Sequence, residues 1–373
     1  MSATTAVICE FNPIHPGHRH LLRLAGAGGD AVLCVMSGHF TERGIPALFD
    51  KYVRARAALA CGADLVVELP YPWSASGAED FARGGCVIAG ALGADSLTFG
   101  SESGDLGLLA RAADYRGSAA FADRMREIEG ERRGGGSASL YEAALAEAGI
   151  ALGGGNDRLG VEYIRACRAC GIADFRPVRR MTGAPSSSEI REAFRRDGRD
   201  AALAMTAEEA REIYEDAPAC PIERYEALLF THARLYLGDG GELDLLRYAV
   251  KTARMCGTAE EFVSRLPTKK YTAARMRREL LFSLLGGPEP SETPAFTVLL
   301  AANERGREIL ARARRTDRIP VLVKPADTAS LDERAMRQYD RSIRADELWA
   351  TLTDQEAAAF LRRGPYIEVR GKK

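Results

Sequence analysis

Short, mostly apolar runs separated by longer amphipathic stretches set out the first half of this chain. Residues 6–9, 31–36, 65–69, 96–99 and 174–178 are brief and bounded by turn-forming residues, so each reads as a buried strand. Between them, 19–25, 47–61, 78–92 and 161–169 carry helical periodicity, and Gly62 stops the second of these. Strands alternating with helices of this length imply βαβ units and predict a doubly wound α/β domain around a parallel sheet. Residues 116–140 interrupt the alternation. They are charged, then Gly-rich over 132–136, and read as a mobile excursion. After about residue 200 the pattern changes. Helical periodicity dominates from 206 to 285, broken at Pro218 and Pro221, and strand-like runs at 296–300 and 319–323 flank a helix over 305–315. The expected organisation is therefore a catalytic domain over 1–200, then a mainly helical region over 201–373 with a small α/β piece.

In parallel sheets, ligands sit outside the carboxyl ends of the strands. That rule places the loops 10–18, 37–44, 68–71 and 100–105 along one rim. The first is the most informative: Glu10-Phe-Asn-Pro-Ile-His-Pro-Gly-His18. Strand, tight turn and helix start is the geometry of a phosphate site, because the first helical N–H groups are unpaired and the dipole is positive there. Gly17 lets backbone approach a ligand, and His15 and His18 can donate hydrogen bonds to phosphate oxygens. The plain alternative is two surface histidines beside a glycine. Against it, the chain has five histidines and four of them fall in its first 39 residues. His-x-Gly-His resembles the signature of the nucleotidylyltransferase superfamily, which implies chemistry at an α-phosphate without naming the substrate.

Two further stretches carry charge or hydroxyls in suggestive places. Ser186-Ser-Ser-Glu-Ile-Arg191 precedes a helix, so it is either an N-cap or a second phosphate clamp with Arg191 aimed at the β- and γ-phosphates. The stretch 265–278 is strongly basic. It reads either as a solvated helix face or as a surface for an RNA backbone, with Tyr271 available for stacking.

Composition narrows the class. Hydrophobic content of 46% with 28% charged residues fits a soluble globular protein, and a net charge of -1 says nothing about a polyanionic partner. No apolar run approaches the roughly 20 residues of a membrane span. The N-terminus lacks the basic segment of a signal peptide, so a cytoplasmic protein is expected. Eight cysteines are scattered, mostly within apolar runs, as in reduced proteins. Cys167 and Cys170 form an isolated Cys-x-x-Cys on a helical stretch, and zinc is not expected there.

With these pieces assembled, the chain resembles the tRNA(Met) cytidine acetate ligases, a bacterial family of the nucleotidylyltransferase superfamily. The resemblance rests on 10–18, Met36-Ser-Gly-His-Phe-Thr-Glu-Arg-Gly44, Gly62-Ala-Asp-Leu-Val-Val-Glu-Leu-Pro70, Phe99-Gly-Ser-Glu-Ser-Gly-Asp105, Asn156-Asp-Arg-Leu-Gly-Val-Glu-Tyr163, 186–191 and Thr268-Lys-Lys-Tyr-Thr272. It spans nearly the whole chain. The chain departs from the family at 153–157, where Pro-Asn-Asn-Ile-Leu-Gly is usual, and in the glycines at 134–136. The resemblance implies that ATP and acetate give acetyl-adenylate and pyrophosphate, and that the acetyl group passes to the wobble cytidine of elongator tRNA(Met) as N4-acetylcytidine. It implies catalytic roles for His15, His18 and Arg191, with Arg180 also on the leaving pyrophosphate. ATP contacts are implied for Ile8, Cys9, Glu10, Phe11, Asn12, Pro13, Gly17, Leu21, Gly100, Asn156, Ser186 and Ser187, and tRNA contacts for Lys269, Lys270, Arg275 and Arg278. Mg²⁺ is expected to enter with ATP, since no carboxylate cluster marks a protein metal site. Acetate is expected in a small pocket between the His15 loop and the 37–44 loop. The alternatives are a small-molecule nucleotidylyltransferase and a non-catalytic RNA-binding protein on the same fold.

Overall fold

The computed structural model describes residues 3–131, 137–241, 243–289 and 291–368. Among the described residues eight strands form one sheet: β1 (Thr4–Cys9), β2 (Ala31–Ser37), β3 (Leu65–Leu69), β4 (Ser96–Ser101), β5 (Asp174–Arg179), β6 (Thr297–Ala302), β7 (Val321–Leu322) and β8 (Tyr366–Ile367). Their order is β5-β4-β1-β2-β3-β6-β7, with β8 also on β6. The strands from β5 to β3 are parallel, and the order reverses at β1 and β4, so the cleft beyond their carboxyl ends is the expected ligand position. β1 and β2 are buried along their whole length, which fits their continuous apolar sequence.

The sheet departs from the expected one at its far edge. β6 pairs antiparallel with β3, so the sheet is mixed and the 297–323 stretch extends it instead of forming a separate α/β piece. A second correction concerns the stretch after residue 115, which is not a loose excursion. Helices Ala119–Glu131 and Ser137–Glu147 occupy most of it, with Phe121, Ile128, Leu140 and Leu145 buried in the main core. In Ala119–Glu131 the charged residues between the anchors Phe121 and Ile128 face water. Residues 132–136, where the glycines fall, lie outside the described residues.

Each face of the sheet has its own core. One face packs Ala6, Ile8, Leu33, Val35 and Leu97 against helices Ala78–Ala91 and Gly155–Ala169. The other packs Val7, Val32, Cys34 and Val66 against helix Lys51–Ala60, and against Leu203, Ala210 and Tyr214 from beyond residue 200. A third cluster is helical, built around Tyr225, Leu229, Phe262, Met276, Leu280 and Trp349, and it takes in Phe40 and Tyr71 from the rim loops.

The helical region and the sheet also meet through buried charges. Lys51 Nζ donates to Glu68 at 2.8 and 3.0 Å and to Asp346 Oδ2 at 2.6 Å, while His39 Nδ1 lies 2.6 Å from Asp346 Oδ1. Burial and the nearby Asp346 push the Glu68 carboxyl up to about 7, against the pull of Lys51. Burial alone would raise Asp346, but Lys51 and then His39 bring it down to about 2. Replacing Lys51 by Met leaves buried carboxylates without a cation, which is expected to cost about 3–5 kcal/mol in urea unfolding. Glu68 binds its proton more tightly folded than unfolded, so its contribution to stability falls as pH rises from about 4.5 through 7. The stability of Glu68→Gln relative to the parent should therefore increase across that interval, read from paired unfolding curves.

Candidate active site

The turn after β1 is held in an uncommon backbone. Phe11 has φ 45°, a region L side chains seldom adopt, and its ring meets His18 edge-on at 5.1 Å. The following helix, Pro16–Ala25, starts earlier than its periodicity suggests because His15 is its N-cap, with Nδ1 accepting the Gly17 N–H at 3.1 Å. That bond leaves Nε2 to carry the proton of the neutral ring. The His15 and His18 rings stack with centroids 3.7 Å apart. A Cβ on Gly17 would come within 2.9 Å of His15 Cε1, so glycine is what this ring position requires. Burial and then Arg180 lower His15 to about 4. Burial, His15 and Arg180 hold His18 well below its ordinary value. Both rings are therefore neutral near pH 7, each carrying one N–H.

These rings line a cavity of about 740 Å³. Ile8, Phe81, Phe99, Leu159 and Val178 give it an apolar side, whereas His15, His18, Arg43, Arg180 and Arg191 give it a polar, cationic side. Such a two-sided cavity suits an aromatic base joined to an anionic chain. Cys9, Glu10, Phe11, Gly17, Leu21, Gly100, Asn156, Ser186 and Ser187 also line it. Among the described residues no group of three or more His, Cys, Asp or Glu is arranged to hold a metal ion.

Two expected contact residues lie elsewhere. Asn12 and Pro13 sit behind the wall: the Asn12 carboxamide accepts the Leu48 N–H at 2.7 Å, and the Asn12 and Pro13 carbonyls accept from Arg191 at 2.6 Å and Ser187 at 3.0 Å. They shape the site through their backbone. The rim is also made of different loops than expected. Residues from 10–18, 37–44 and 100–105 reach the cavity, but none from 68–71 do. Glu68 belongs to the buried charge cluster, and the Tyr71 hydroxyl donates to the Gly286 carbonyl at 2.6 Å within the helical region.

The serine run before Arg191 divides its work. Ser186 forms a capping box with Glu189, so its hydroxyl holds the helix Ser187–Arg196. Ser188 Oγ accepts from Arg191 at 3.1 Å and from Arg43 at 3.0 Å, joining two cations at the cavity edge. Burial brings Arg191 down to about 10, so it remains charged at neutral pH. On the opposite wall, Glu102 accepts from the Asn156 side chain at 2.6 Å and from the Asp157 N–H at 2.8 Å. Glycine at 153 and 154 fits this contact. Cβ atoms there would lie 2.8 and 3.0 Å from Glu102.

The basic stretch separates by exposure. Lys269 and Lys270 are exposed, and Lys270 Nζ and Arg275 Cζ lie 5.1 and 5.5 Å from the Tyr271 ring centre. Arg278 differs. It is 15% exposed, donates to the Glu42 carbonyl at 2.9 Å and pairs with the Glu42 carboxylate at 3.2 Å, which makes it a strut to the cavity rim. The neighbouring Gly44 has φ 66°, and a Cβ on it would strike the Arg278 backbone nitrogen at 2.6 Å.

Sequence reasoning missed Arg43, Ser188 and Glu102 as wall residues, although all three lie inside the quoted blocks. It also missed Arg54, whose guanidinium donates to the Glu10 carbonyl at 2.6 Å, the Phe49 carbonyl at 2.9 Å, the Ser37 carbonyl at 3.1 Å and the Gly38 carbonyl. An arginine four residues after Asp50 reads in the sequence as an ordinary i,i+4 helix pair and gives no signal of this.

Residues 1–362 match the model of a family described as HIGH Nucleotidyl Transferase. A tRNA(Met) cytidine acetate ligase of Syntrophotalea carbinolica is 34% identical over 356 residues, covering 85% of this chain and 83% of the relative. One of Streptococcus agalactiae is 30% identical, covering 93% and 96%. The crystal structure of Thermotoga maritima TmcAL bound with alpha-thio ATP superposes with a TM-score of 0.89 at 26% identity, over 98% of this chain and 99% of that one.

The histidine electrostatics can be tested in the isolated protein. His15 should titrate near pH 4 by NMR of its ring protons. Arg180→Ala removes a positive charge that opposes protonation, so the His15 midpoint should move up toward its ordinary value of about 6.5.

Proposed function

This chain belongs to the HIGH nucleotidyl transferase family, alongside the tRNA(Met) cytidine acetate ligases, and from that membership we propose an ATP-dependent acetate ligase that modifies tRNA. The observation that carries the reading is one cavity in which two stacked neutral imidazoles and the cations Arg180 and Arg191 face an apolar wall. In the first step an acetate oxygen attacks the α-phosphorus of ATP, the bond to the β-phosphate breaks, and pyrophosphate leaves with that electron pair. The attack is in line, so catalysis is positioning and charge stabilisation. His15 and His18 donate to the phosphates as charge builds, and Arg180 and Arg191 neutralise the leaving group. Ile8, Cys9, Phe11 and Leu21 border the nucleotide, Gly100 and Asn156 face adenosine or its ribose, and Ser186, Ser187 and Gly17 present the two helix starts to the phosphates. Mg²⁺ would arrive with the nucleotide and supply further charge neutralisation. Acetate would enter between the His15 loop and the 37–44 loop, where Arg43 offers its carboxylate a cation.

In the second step the acetyl group passes to the exocyclic amine of the wobble cytidine of elongator tRNA(Met). Lys269, Lys270 and Arg275, grouped about Tyr271, offer the phosphate contacts, so the helical part of 201–373 serves RNA while the strands of 1–200 serve ATP. Arg278 is better read as a positioning residue. Among the described residues no helix is long and apolar enough to cross a membrane, and a tRNA substrate fits a cytoplasmic enzyme.

Acetate-dependent exchange of pyrophosphate into ATP, with mass spectrometry of tRNA(Met) nucleosides, tests the reading. A small-molecule nucleotidylyltransferase would prefer another acceptor, and a non-catalytic RNA-binding protein would give no exchange. His18→Ala should lower exchange and tRNA acetylation together by roughly 10²–10³, with tRNA affinity nearly intact. The triple variant Lys269→Ala, Lys270→Ala, Arg275→Ala should still form acetyl-adenylate but bind tRNA more weakly. Its slope of log affinity against log salt should be shallower by about 0.7–0.9 per lost phosphate contact. Arg278→Ala should show the opposite pattern, weakening exchange more than tRNA affinity. Intact tRNA affinity in the triple variant would move the RNA surface elsewhere, for example to Arg312–Arg315.

A further inference from the structure

Transfer of acetyl to an exocyclic amine needs something the adenylation step does not: a group that takes a proton from nitrogen. The cavity's titratable groups can be sorted by what already occupies them. His15 accepts a backbone N–H on Nδ1, so its exposed nitrogen is a donor. His18 Nδ1 is buried with no partner, which leaves Nε2 for the phosphates in the reading above, and His20 Nδ1 lies 3.4 Å from an Arg23 guanidinium nitrogen. Glu42 is paired with Arg278, and Glu102 holds the start of the helix Gly155–Ala169 through Asn156 and Asp157. Glu10 is the remaining carboxylate. It lines the cavity at the end of β1, beside Arg43 and under the 37–44 loop, where the reading above places acetate. One of its oxygens accepts the Glu42 N–H at 2.7 Å, and the described residues offer no hydrogen-bond donor to the other.

Resting on that reading, we propose that Glu10 is the general base of the acetyl-transfer step. The amine nitrogen forms a bond to the acetyl carbon, the bond from that carbon to the AMP phosphate oxygen breaks with its electrons leaving on AMP, and one amine proton passes to the free Glu10 oxygen and then to water. The surroundings suit a base. Burial and Glu42 push the Glu10 carboxyl up, against the pull of the Glu42 N–H, Arg191 and Arg43, so it holds a proton more readily than an ordinary glutamate. Arg54, Cys9 and Tyr163 complete the charged and titratable groups around it: Arg54 holds the Glu10 backbone carbonyl, and burial keeps the Cys9 thiol and Tyr163 hydroxyl neutral.

The test compares two acceptors for the same acetyl-adenylate. Hydroxylamine attacks without a base, whereas the cytidine amine needs one. Glu10→Gln should lower tRNA acetylation by roughly 10²–10⁴, and at least about tenfold more than it lowers acetate-dependent hydroxamate formation, which carries any loss of the ATP contact expected of Glu10. The acidic limb of the pH profile for tRNA acetylation should vanish in Glu10→Gln and persist, at reduced rate, in Glu10→Asp. Equal loss with both acceptors would make Glu10 a nucleotide ligand or structural residue and overturn the proposal, as would a Glu10→Gln enzyme that keeps its acidic limb. A parent protein that forms no hydroxamate from ATP and acetate would remove the ligase reading itself, and this inference with it.

Discussion

The buried guanidinium of Arg54 is the constraint on which the rest of the site depends. Among the described residues no carboxylate is hydrogen-bonded to it, and its charge is met by carbonyl oxygens from Glu10, Ser37, Gly38 and Phe49. Those carbonyls mark the ends of β1 and β2 and the entry to helix Lys51–Ala60. A buried cation that loses a partner is costly, so the two loops that frame the cavity hold one relative position. The loop after β1 brings Glu10 and the histidines, and the loop after β2 brings Glu42 and Arg43.

The second of these loops is also fastened from behind. Phe40 is buried in the helical cluster, the Tyr225 hydroxyl donates to the Gly44 carbonyl at 2.8 Å, and Trp349 Nε1 donates to the Ala47 carbonyl at 2.8 Å. His39 and Lys51 reach Asp346 on helix Glu333–Leu352. Arg278 completes the attachment on Glu42. The helical part is therefore the support of the cavity's outer wall as well as the carrier of the exposed cations near Tyr271. This is why a boundary at residue 200 divides composition more cleanly than it divides contacts.

Within the cavity, burial and charge set protonation in a consistent direction. Stacked imidazoles beside arginines are kept neutral, so they add no further cations to Arg43, Arg180 and Arg191 on the same side of the cavity. Arg191 stays charged and Glu10 is raised, which gives one site both a cationic side and a carboxylate that holds a proton more readily than usual.

The sequence by itself determined the parallel strands, the His15 turn, the helix start at Ser186 and the rim loops carrying Glu42 and Arg43. Each of these rests on local periodicity or on a spacing within a dozen residues. It did not reveal that β6 joins the sheet in antiparallel, that 119–131 is an anchored helix, or that Asn12 and Pro13 act from behind the wall. Nor did it separate Arg278 from Lys269 and Lys270, since a run of cations reads alike whether a residue faces water or a carboxylate more than 200 positions away. Arg54, Asp346 and Glu102 owe their roles to partners brought near by folding alone. Which carboxylate is already paired and which is open is therefore a property of the tertiary structure, because hydrogen-bond saturation depends on where the donors lie in space.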